Sequence, residues 1–470
     1  MSDAVVTALR RRLGADAVET GPAALTPHLV DWRGWYRGAA RCRVRPRTAG
    51  EVAETVAVCA ETGTPVVPQG GETGLAGGGV PGTDGTAVLL ATDRLTRVRE
   101  VDPANNTITV EAGCILQDIQ DTAAAHDRLF PVSLAAEGSC RIGGNLATNA
   151  GGLNALAHGT MRQQVLGLEA VTADGRLWDG LRRVRKEVAG YDLKQLFIGA
   201  EGTLGVMTAA VLRLYPRPRE SASAFAGVPS VEAALALLTR VQAATGNAAT
   251  AFELLPDRGI RFAERHEPGA HTPLTTRPPW AVWIEVAGGT GNGQLRAGLE
   301  DSLAAAHADG EVADAVVARD EGQAGAFRRL RDAVVGAQRH EGASIKHDIA
   351  VPVSAVPDFL AAALPAVAHA IPGVRPVPFG HLGDGNLHFN LTQPRGMDRD
   401  TFMAHWDTVT AMVHDIVHAQ GGTVSAEHGI GQLKRGELAR FQSATERAMQ
   451  RAIKDALDPQ HIMNPGKVLP

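Results

Sequence analysis

The sequence is short of several residue classes that mark particular kinds of protein. Its four cysteines, at positions 42, 59, 114 and 140, form no Cys-x-x-Cys pair, so neither a disulfide framework nor a zinc finger is indicated. No stretch reaches the roughly 18 apolar residues of a membrane-spanning helix. The net charge of −5 gives no basic excess that would favour nucleic acid or an anionic membrane surface. These absences favour a cytoplasmic protein with small-molecule partners.

The chain does contain enough apolar material for more than one core. With 470 residues, 44% of them hydrophobic and 21% charged, it predicts two or three folded domains. We expect an N-terminal helical segment over 1–37, a first domain over 38–217, a second domain over 218–425 and a C-terminal segment over 426–470. The run "YPRPRE" at 215–220 is typical of a linker between two domains.

Hydrophobic periodicity predicts an α+β fold. In the first domain an amphipathic helix is expected over about 49–61, ended by Gly63, with strand-like runs such as "TPVVPQGG", "AVLLAT", "TITVEAG" and "VMTAAVLRLYP" around it. In the second domain the runs "TAFELL", "WAVWIEVAGG" and "DAVVARD" alternate with amphipathic helices rich in alanine and leucine. This alternation predicts an antiparallel sheet with helices on one face.

Three glycine-rich loops in the first domain predict a nucleotide cleft. The loop "PQGGETGLAGGGVPGTDG" contains Gly-x-Gly-x-x-Gly at Gly77, Gly79 and Gly82, but Pro81 prevents the helix that a Rossmann phosphate site requires. A run of backbone N–H groups can still grip a pyrophosphate as an anion nest. The segments "EGSCRIGGNLATNAGGLNALAHGT" and "IGAEGTLGVMT" add glycines and short polar side chains suited to a flat polar ring system.

The segment "GHLGDGNLHFN" at 380–390 predicts a β-hairpin. Asp-Gly favours a two-residue type I′ turn, which would place His381 directly opposite His388 on one face of the hairpin. Opposed Cβ atoms lie roughly 5 Å apart, so both imidazoles could hold one ion. Two polar residues on a solvated strand are an equally good explanation of this stretch alone.

Taken together, these motifs resemble a known flavoprotein family. The stretches "PQGGETGLAGG", "GSCRIGGNLATNAGGL" and "GYDLKQLFIGAEGTLGV" resemble the FAD-binding domain of the vanillyl-alcohol oxidase (PCMH) type. With "GHLGDGNLHFN", "SAEHGIGQLKR" and "LDPQHIMNPGK", they resemble the branch of D-2-hydroxyglutarate and D-lactate dehydrogenases from about residue 31 to 470. The resemblance implies a two-part FAD-binding domain, a substrate (cap) domain with an antiparallel sheet and helices, and a C-terminal segment that returns to the flavin.

The resemblance implies noncovalent FAD, because the related branch has no covalent bond of the kind that His158 could offer. The residues expected to contact FAD come from the three glycine-rich loops and the C-terminal segment. They are Pro68, Gln69, Gly70, Gly71, Thr73, Gly74, Leu75, Gly138, Ser139, Gly143, Gly144, Asn145, Thr148, Asn149, Gly151, Gly152, Glu201, Gly202, Gly205, Val206 and Asn464.

The same resemblance implies the remaining site. His381, His388 and Glu427 would hold a divalent metal, usually zinc, and His428 would act as the base. For the substrate, it implies that Asn386 binds the α-carboxylate, while Arg331 and Lys346 anchor a distal carboxylate. Val335 stands where the hydroxyglutarate pattern has a threonine that also contacts that carboxylate.

The implied reaction is oxidation of D-2-hydroxyglutarate to 2-oxoglutarate, with electrons passed to a protein or quinone acceptor such as electron-transfer flavoprotein. D-lactate or another D-2-hydroxy acid is the alternative substrate. Two readings of other kinds are a zinc-dependent hydrolase and a flavin-binding subunit that is inactive without a partner. A homodimer is one option for the oligomeric state.

Overall fold

The computed structural model describes residues 3–289 and 291–469 and divides into two compact units. Unit 1 comprises the described residues up to Gly152, then Gly159–Arg217, and the chain from Glu427 onward. Unit 2 comprises Leu153–His158 and Pro218–Ala426. The chain therefore leaves unit 1 within the expected linker and re-enters it at the start of "EHGIG".

Both units contain helices and strands, which confirms the predicted α+β class. The helices are α1 (Ala4–Leu13), α2 (Pro22–Leu25), α3 (Ala49–Thr62), α4 (Leu116–Ala125), α5 (Ile142–Ala147), α6 (Ala155–His158), α7 (Met161–Gln164), α8 (Lys194–Phe197), α9 (Val231–Ala244), α10 (Asp257–His266), α11 (Gln294–Ala308), α12 (Glu321–Ala337), α13 (Val356–Ala370), α14 (Arg399–Met403), α15 (Trp406–Ala419), α16 (Arg435–Phe441) and α17 (Ala444–Leu457). The strands are β1 (Val18–Glu19), β2 (Cys42–Val44), β3 (Val66–Gln69), β4 (Val88–Ala91), β5 (Val98–Asp102), β6 (Thr107–Glu111), β7 (Arg128–Leu129), β8 (Val165–Val171), β9 (Leu177–Gly180), β10 (Val206–Arg213), β11 (Tyr215–Pro216), β12 (Glu220–Val228), β13 (Ala249–Pro256), β14 (Trp280–Gly288), β15 (Asp314–Val317), β16 (Ser344–Ala350), β17 (Arg375–His381) and β18 (Asn386–Thr392).

The first sheet of unit 1 has the strand order β1-β2-β4-β3, and β4 pairs in parallel with both β2 and β3. Helix α3 connects β2 to β3 and buries Val52, Val56 and Cys59 against this sheet. The side chain of Thr48 accepts a hydrogen bond from the backbone N–H of Glu51 and caps the helix start. Gly63 ends the helix at φ +61°, as predicted for a left-handed C-cap.

The second sheet of unit 1 is antiparallel, with the order β5-β6-β10-β8-β9. Its central strand β10 is buried at every position except the last, because α5 packs on one side and α3 on the other. A short pair of strands, β7 and β11, completes the sheets described for this unit. All four cysteines of the chain are free and buried in unit 1.

The C-terminal part of unit 1 is fixed by a buried lysine. Lys454, only 8% exposed, donates from Nζ to Asp458 Oδ2 at 2.5 Å, to the Thr203 carbonyl at 2.7 Å and to the Met463 carbonyl at 2.9 Å. Asp458 in turn accepts from the backbone N–H groups of Ile462 and Met463. Because every member of this buried network has a partner, the segment after α17 is held against the loop that contains Thr203.

Unit 2 is built on a seven-stranded sheet in the order β15-β12-β14-β13-β17-β18-β16. Every neighbouring pair is antiparallel, which confirms the sheet predicted for the second domain. The order places the hairpin β17–β18 between β13 and β16. Residues from distant parts of the sequence are therefore neighbours on this sheet.

The prediction that helices cover one face of this sheet is wrong, because both faces are covered. Helices α9, α11, α13 and α15 pack on the face that carries Phe252 and Ile284, whereas α10 and α12 pack on the face that carries Trp283 and Phe379. In β14 and its neighbouring strands, successive residues point to opposite faces of the sheet, and apolar residues point to both faces. A strand that is buried on both faces has a nearly continuous apolar run, which does not reveal how many faces helices cover.

One helical stretch, Val353–Ala370, is long and apolar enough to cross a membrane by length and composition. This is weak evidence, since core helices pass the same test. The stretch includes α13, whose residues Val356, Phe359 and Val367 are fully buried in the core beneath the sheet of unit 2.

Candidate functional site

The glycine-rich loops of unit 1 form the walls of one cleft, which encloses about 990 Å³ including its open side. Most of the predicted cofactor residues line it: Pro68, Gln69, Gly70, Gly71, Thr73, Gly74, Gly143, Gly144, Asn145, Thr148, Glu201, Gly202, Gly205 and Val206. The first loop begins at the end of β3, the second includes α5, and the third leads into β10. A strand end, a helix start and a tight loop thus bring their backbone groups to one cavity.

The glycines of this cleft fall into two groups. A Cβ at Gly71 would overlap the carbonyl oxygen of Ser139, and one at Gly143 would lie 2.9 Å from Ala112 Cβ, so these two allow close packing of the protein itself. At Gly74 and Gly144 a Cβ would meet nothing within 4 Å among the described residues. Both line the cleft. Their missing side chains therefore leave room for a ligand rather than for protein atoms.

The cleft also contains buried acceptors that the protein does not satisfy. Gln69 Oε1 and Asn145 Oδ1 are buried side-chain oxygens without a hydrogen-bond partner among the described residues. A buried polar atom without a partner costs roughly 1–3 kcal/mol, so such atoms are expected where a ligand supplies the missing donor. A polar ring with N–H groups fits these two acceptors.

Several predicted cofactor residues lie outside the cleft lining, namely Leu75, Gly138, Ser139, Asn149, Gly151, Gly152 and Asn464. Asn149 uses Oδ1 to accept from Thr160 and from the backbone N–H of Arg162. A Cβ at Gly152 would overlap the carbonyl oxygen of Ser133, so this glycine is required for packing. The sequence reasoning in turn missed Arg141 and Met207, which line the cleft and stand inside or beside the predicted motifs.

Glu201 is buried at 8% exposure and belongs to a contact between the cleft and the C-terminal segment. Its Oε1 accepts from the backbone N–H of Ile430 at 2.7 Å, and its Oε2 accepts from that of Gly431 at 2.9 Å. Burial raises the pKa of this carboxyl group, and the two N–H groups oppose that effect. Asn464 donates from Nδ2 to the carbonyl oxygens of Gly78 and Glu201. Both side chains therefore tie protein segments together.

His428 also lines the cleft, in the turn between Glu427 and Gly429. Its Nε2 lies 3.9 Å from Glu427 Oε1, and both side chains are partly exposed. The following residues are fixed by backbone bonds, since the N–H groups of Gln432 and Leu433 donate to the carbonyl oxygen of Ala76. The structure thus places the predicted base among the residues of the predicted flavin cleft.

The histidine hairpin of unit 2 has a different turn from the predicted one. His381 pairs with Asn386, and His388 pairs with Phe379, so residues 382–385 form a four-residue connection. The two-residue type I′ turn is wrong because Gly385 adopts φ +80° while Asp384 keeps a negative φ. The register shifts by two residues, which leaves both histidines on one face. Their ring centroids lie 5.9 Å apart.

That face of the sheet carries two of the four predicted substrate residues, Lys346 and Asn386. Lys346 and Asp348 alternate along β16, and Asp348 pairs in register with His388. Asp348 and His388 offer ligand atoms within 4.8 Å of one another. Asp348, which sequence reasoning missed, stands two residues after Lys346, and the period of two in a strand could have indicated it.

Asn386 lies on the same face, at 6% exposure. Its Nδ2 donates to Asp348 Oδ1 at 3.2 Å and to the Ile349 carbonyl at 2.8 Å. These bonds would have to be exchanged before this amide could donate to a substrate carboxylate.

On α12, Val335 is 42% exposed and lies one turn after Arg331.

A buried carboxylate on β13 holds Arg331 and His381 together. Glu253 is 1% exposed; its Oε2 accepts from Arg331 Nε at 2.7 Å, and its Oε1 lies 2.5 Å from His381 Nδ1. Burial alone would raise the pKa of Glu253, but the charge of Arg331 and the hydrogen bonds from His381 and Arg331 outweigh it and lower this pKa to about 2. Arg331 is thus committed at Nε to a protein carboxylate. The predicted role of Arg331 as an anchor of a distal carboxylate did not anticipate this contact.

Comparison with known proteins gives matches along nearly the whole chain. A family model described as "FAD binding domain" matches residues 40–180, and one described as "FAD linked oxidases, C-terminal domain" matches residues 217–468. The mitochondrial D-2-hydroxyglutarate dehydrogenase of Danio rerio is 36% identical over 96% of this chain and 82% of its own length. The D-2-hydroxyglutarate dehydrogenase of Xanthomonas citri pv. viticola is 34% identical over 100% of this chain and 97% of its own length.

Among solved structures, p-cresol methylhydroxylase with substrate bound matches with a TM-score of 0.79 at 18% identity. That match covers 98% of this chain and 96% of the other. At 18% identity, this match supports a common fold and nothing further.

Proposed function

We propose that this chain, which belongs to the family of FAD-linked oxidases, oxidises D-2-hydroxyglutarate to 2-oxoglutarate. The observation that carries the proposal is similarity over nearly the full length to enzymes with that name, in both a fish and a bacterium. An FAD-dependent oxidoreductase also agrees with the cleft of unit 1, whose glycines leave room for a ligand.

The residues of the cleft fit FAD. Gln69 and Asn145 offer buried acceptors for N–H groups of a flavin ring, while the first loop offers backbone N–H groups for a pyrophosphate. When bound, FAD supplies the hydride acceptor of the reaction. We propose noncovalent attachment. His158, the covalent candidate considered from the sequence, lies on α6 in unit 2.

We further propose that His381, His388 and Glu427 hold a divalent metal such as zinc. Two imidazoles and one carboxylate are the donor set of an open zinc site. The hairpin brings the two histidine rings to 5.9 Å, and Asp348 offers one more carboxylate beside His388. A bound divalent cation would lower the pKa of a ligated hydroxyl by several units, which brings it within reach of a base at neutral pH.

In this proposal His428 receives the hydroxyl proton of the substrate on an imidazole nitrogen. Its position in the lining of the cleft and its partial exposure support that role. Lys346, which is exposed on β16, supplies a cation for the distal carboxylate of a C5 substrate. The electron acceptor is proposed to be a protein such as electron-transfer flavoprotein or a quinone.

D-lactate remains the second candidate substrate, because Val335 departs from the hydroxyglutarate pattern. The match to an FAD-binding domain takes away the support for a zinc hydrolase, which would be colourless. The cytoplasmic location stays a prediction.

The test is a panel of D- and L-2-hydroxy acids assayed by dye reduction with the purified yellow protein. We expect D-2-hydroxyglutarate to give the highest kcat/KM and the L-enantiomer to give no turnover. A preference for D-lactate or for a bulky apolar hydroxy acid would overturn the substrate assignment. No dye reduction with any of these acids, in protein that contains FAD, would indicate a subunit that needs a partner.

A further inference from the structure

Glu253 occupies a position in unit 2 to which the proposed function gives no role. Its carboxylate lies on β13, directly opposite His381 in register, and is 1% exposed. One oxygen faces His381 Nδ1 and the other faces Arg331 Nε. Neither partner is a sequence neighbour, since they are 128 and 78 positions away along the chain.

Arg331 contacts the oxygen of this carboxylate that His381 leaves open. A carboxylate that is taken out of water persists only when a cation pairs with it, and the arginine guanidinium is always charged. The ring of Phe379 lies 5.9 Å from the Arg331 guanidinium carbon and helps to enclose that cation. With Arg331 Nε on Oε2, Oε1 is the oxygen that faces His381 Nδ1.

An acceptor beside Nδ1 fixes the tautomer of His381. The proton of the neutral imidazole must lie on Nδ1, where it points at Glu253, and the lone pair then lies on Nε2. Metal-ligating histidines commonly have this arrangement, in which the second nitrogen donates to a carboxylate that orients the ring.

We propose that Glu253 is the positioning residue of His381: one carboxylate oxygen holds the ring with Nε2 directed at the proposed metal, while Arg331 holds the other oxygen. This inference rests on the proposed function, because it concerns the same metal. It gives Arg331 a role through Glu253 that is independent of any substrate carboxylate.

Unit 2 provides a matched control in a second cluster of the same chemistry. Glu341 is a partly buried residue whose carboxylate accepts from Arg375 at 2.5 Å and contacts His266 Nε2 at 2.9 Å, with Arg265 beside it. Its side chain is 7% exposed. Because none of these residues is a proposed ligand, removing this charge should affect folding stability without affecting metal affinity.

The experiment measures Zn²⁺ affinity of the full-length protein with FAD bound, after removal of metal, by competition with a chromophoric chelator. We expect Glu253→Gln to weaken Zn²⁺ binding by roughly 10- to 100-fold, and Glu341→Gln to change it less than about twofold. Melting temperatures of both variants report any loss of stability. If Glu253→Gln does not fold, Glu253→Asp keeps the charge but shortens the side chain, and should weaken binding in the same direction.

Unchanged Zn²⁺ affinity in the Glu253 variants, or an equal loss in Glu341→Gln, would overturn this inference alone. Absence of stoichiometric Zn²⁺ binding by the wild-type protein would overturn the proposed metal site as well. The two failures are therefore distinguishable from one set of titrations.

Discussion

At the scale of single residues, a buried carboxylate connects the flavin cleft to the segment that carries His428. Both oxygens of Glu201 accept backbone N–H groups of residues 430 and 431, two and three positions after His428. A hydrogen bond to a charged group contributes roughly 1.5–3 kcal/mol, so this contact is strong enough to fix the turn. Glu201 therefore positions the proposed base in addition to lining the cleft.

We predict that Glu201→Gln lowers kcat roughly 10-fold or more while FAD stays bound. The new amide would direct an NH₂ group at one of the two backbone N–H donors, which would displace the turn that carries His428. Steady-state kinetics and the visible flavin spectrum measure the two effects. The control is Glu220→Gln in unit 2, where a carboxylate also accepts backbone N–H groups, from Gly293, Leu295 and Arg296. If Glu201→Gln instead loses FAD, and the fraction that retains FAD turns over normally, then Glu201 serves cofactor binding and does not position His428.

Lys346 gives a cleaner test of substrate choice than Arg331. Replacing Arg331 by alanine would leave the buried charge of Glu253 without its strongest partner, which would disturb the site for every substrate. Lys346 is exposed on β16, so Lys346→Ala removes a cation while Arg331 stays paired with the buried Glu253.

We expect Lys346→Ala to reduce kcat/KM for D-2-hydroxyglutarate by roughly 10- to 100-fold, because a charge-assisted hydrogen bond contributes roughly 1.5–3 kcal/mol. D-lactate, which has no distal carboxylate, should change by less than about threefold. Lys186→Ala, at an exposed lysine of unit 1, serves as the control for loss of charge. Equal losses for both acids would show that Lys346 does not recognise the distal carboxylate.

At the scale of elements, the glycine loops show which glycines serve a ligand. Gly144 on α5 lines the cleft, and Gly138 lies in the same loop region outside it. Among the atoms that the structure describes, a Cβ at either position would meet none within 4 Å, and neither residue has a positive φ. Both positions have room for a methyl group, but only Gly144 faces the cleft.

We predict that Gly144→Ala weakens FAD binding by roughly 10-fold or more, whereas Gly138→Ala leaves it unchanged. The added methyl group at 144 would occupy space that the protein leaves open to the ligand, but would not strain the fold. Titration of the apoprotein with FAD, followed by flavin fluorescence, gives both affinities, and the melting temperature of each apoprotein checks the fold. Weaker binding in Gly138→Ala would support the original prediction that the loop at 138 and 139 contacts the cofactor.

Local sequence signals predicted where individual helices and strands lie, but not the register in which strands pair. Helix α3 begins and ends near its predicted bounds because a threonine cap and a glycine stop are chemical signals within a few residues. The hairpin at 380–390 was placed correctly, but its register depends on the φ of a single residue, Asp384, which the Asp-Gly pattern alone does not determine.

At the scale of the whole molecule, motifs spread along the chain are enough to recognise the family. The buried contacts, in contrast, become visible only in the folded structure. The family matches confirm the recognised class of FAD-linked enzyme. Neither Glu253 nor the role of Glu201 could be read from one sequence, since each joins segments that are far apart along the chain. Hydrophobic periodicity indicates the face of a helix or strand on which a residue lies, but it does not indicate which distant strand pairs with that residue.

The metal proposal gives a prediction for the complete enzyme. None of the proposed ligands His381, His388 and Glu427 is among the residues that line the flavin cleft. Removing the metal should therefore leave FAD in place. The substrate hydroxyl would no longer have its pKa lowered by a bound cation, so the base could not remove its proton easily. Because a free alcohol has a pKa near that of water, turnover should fall by at least roughly 100-fold.

Dialysis against a strong chelator, followed by a visible spectrum and a dye-reduction assay, measures both consequences. We expect an unchanged flavin spectrum, lost turnover with D-2-hydroxyglutarate, and recovery when Zn²⁺ is added back. His381→Ala should reproduce the loss but should not recover with Zn²⁺ at concentrations that restore the wild-type protein. Protein dialysed against chelator that is already saturated with metal controls for the treatment itself. Full turnover in a preparation with no detectable metal would refute the metal site, because proton removal would then depend on His428 alone.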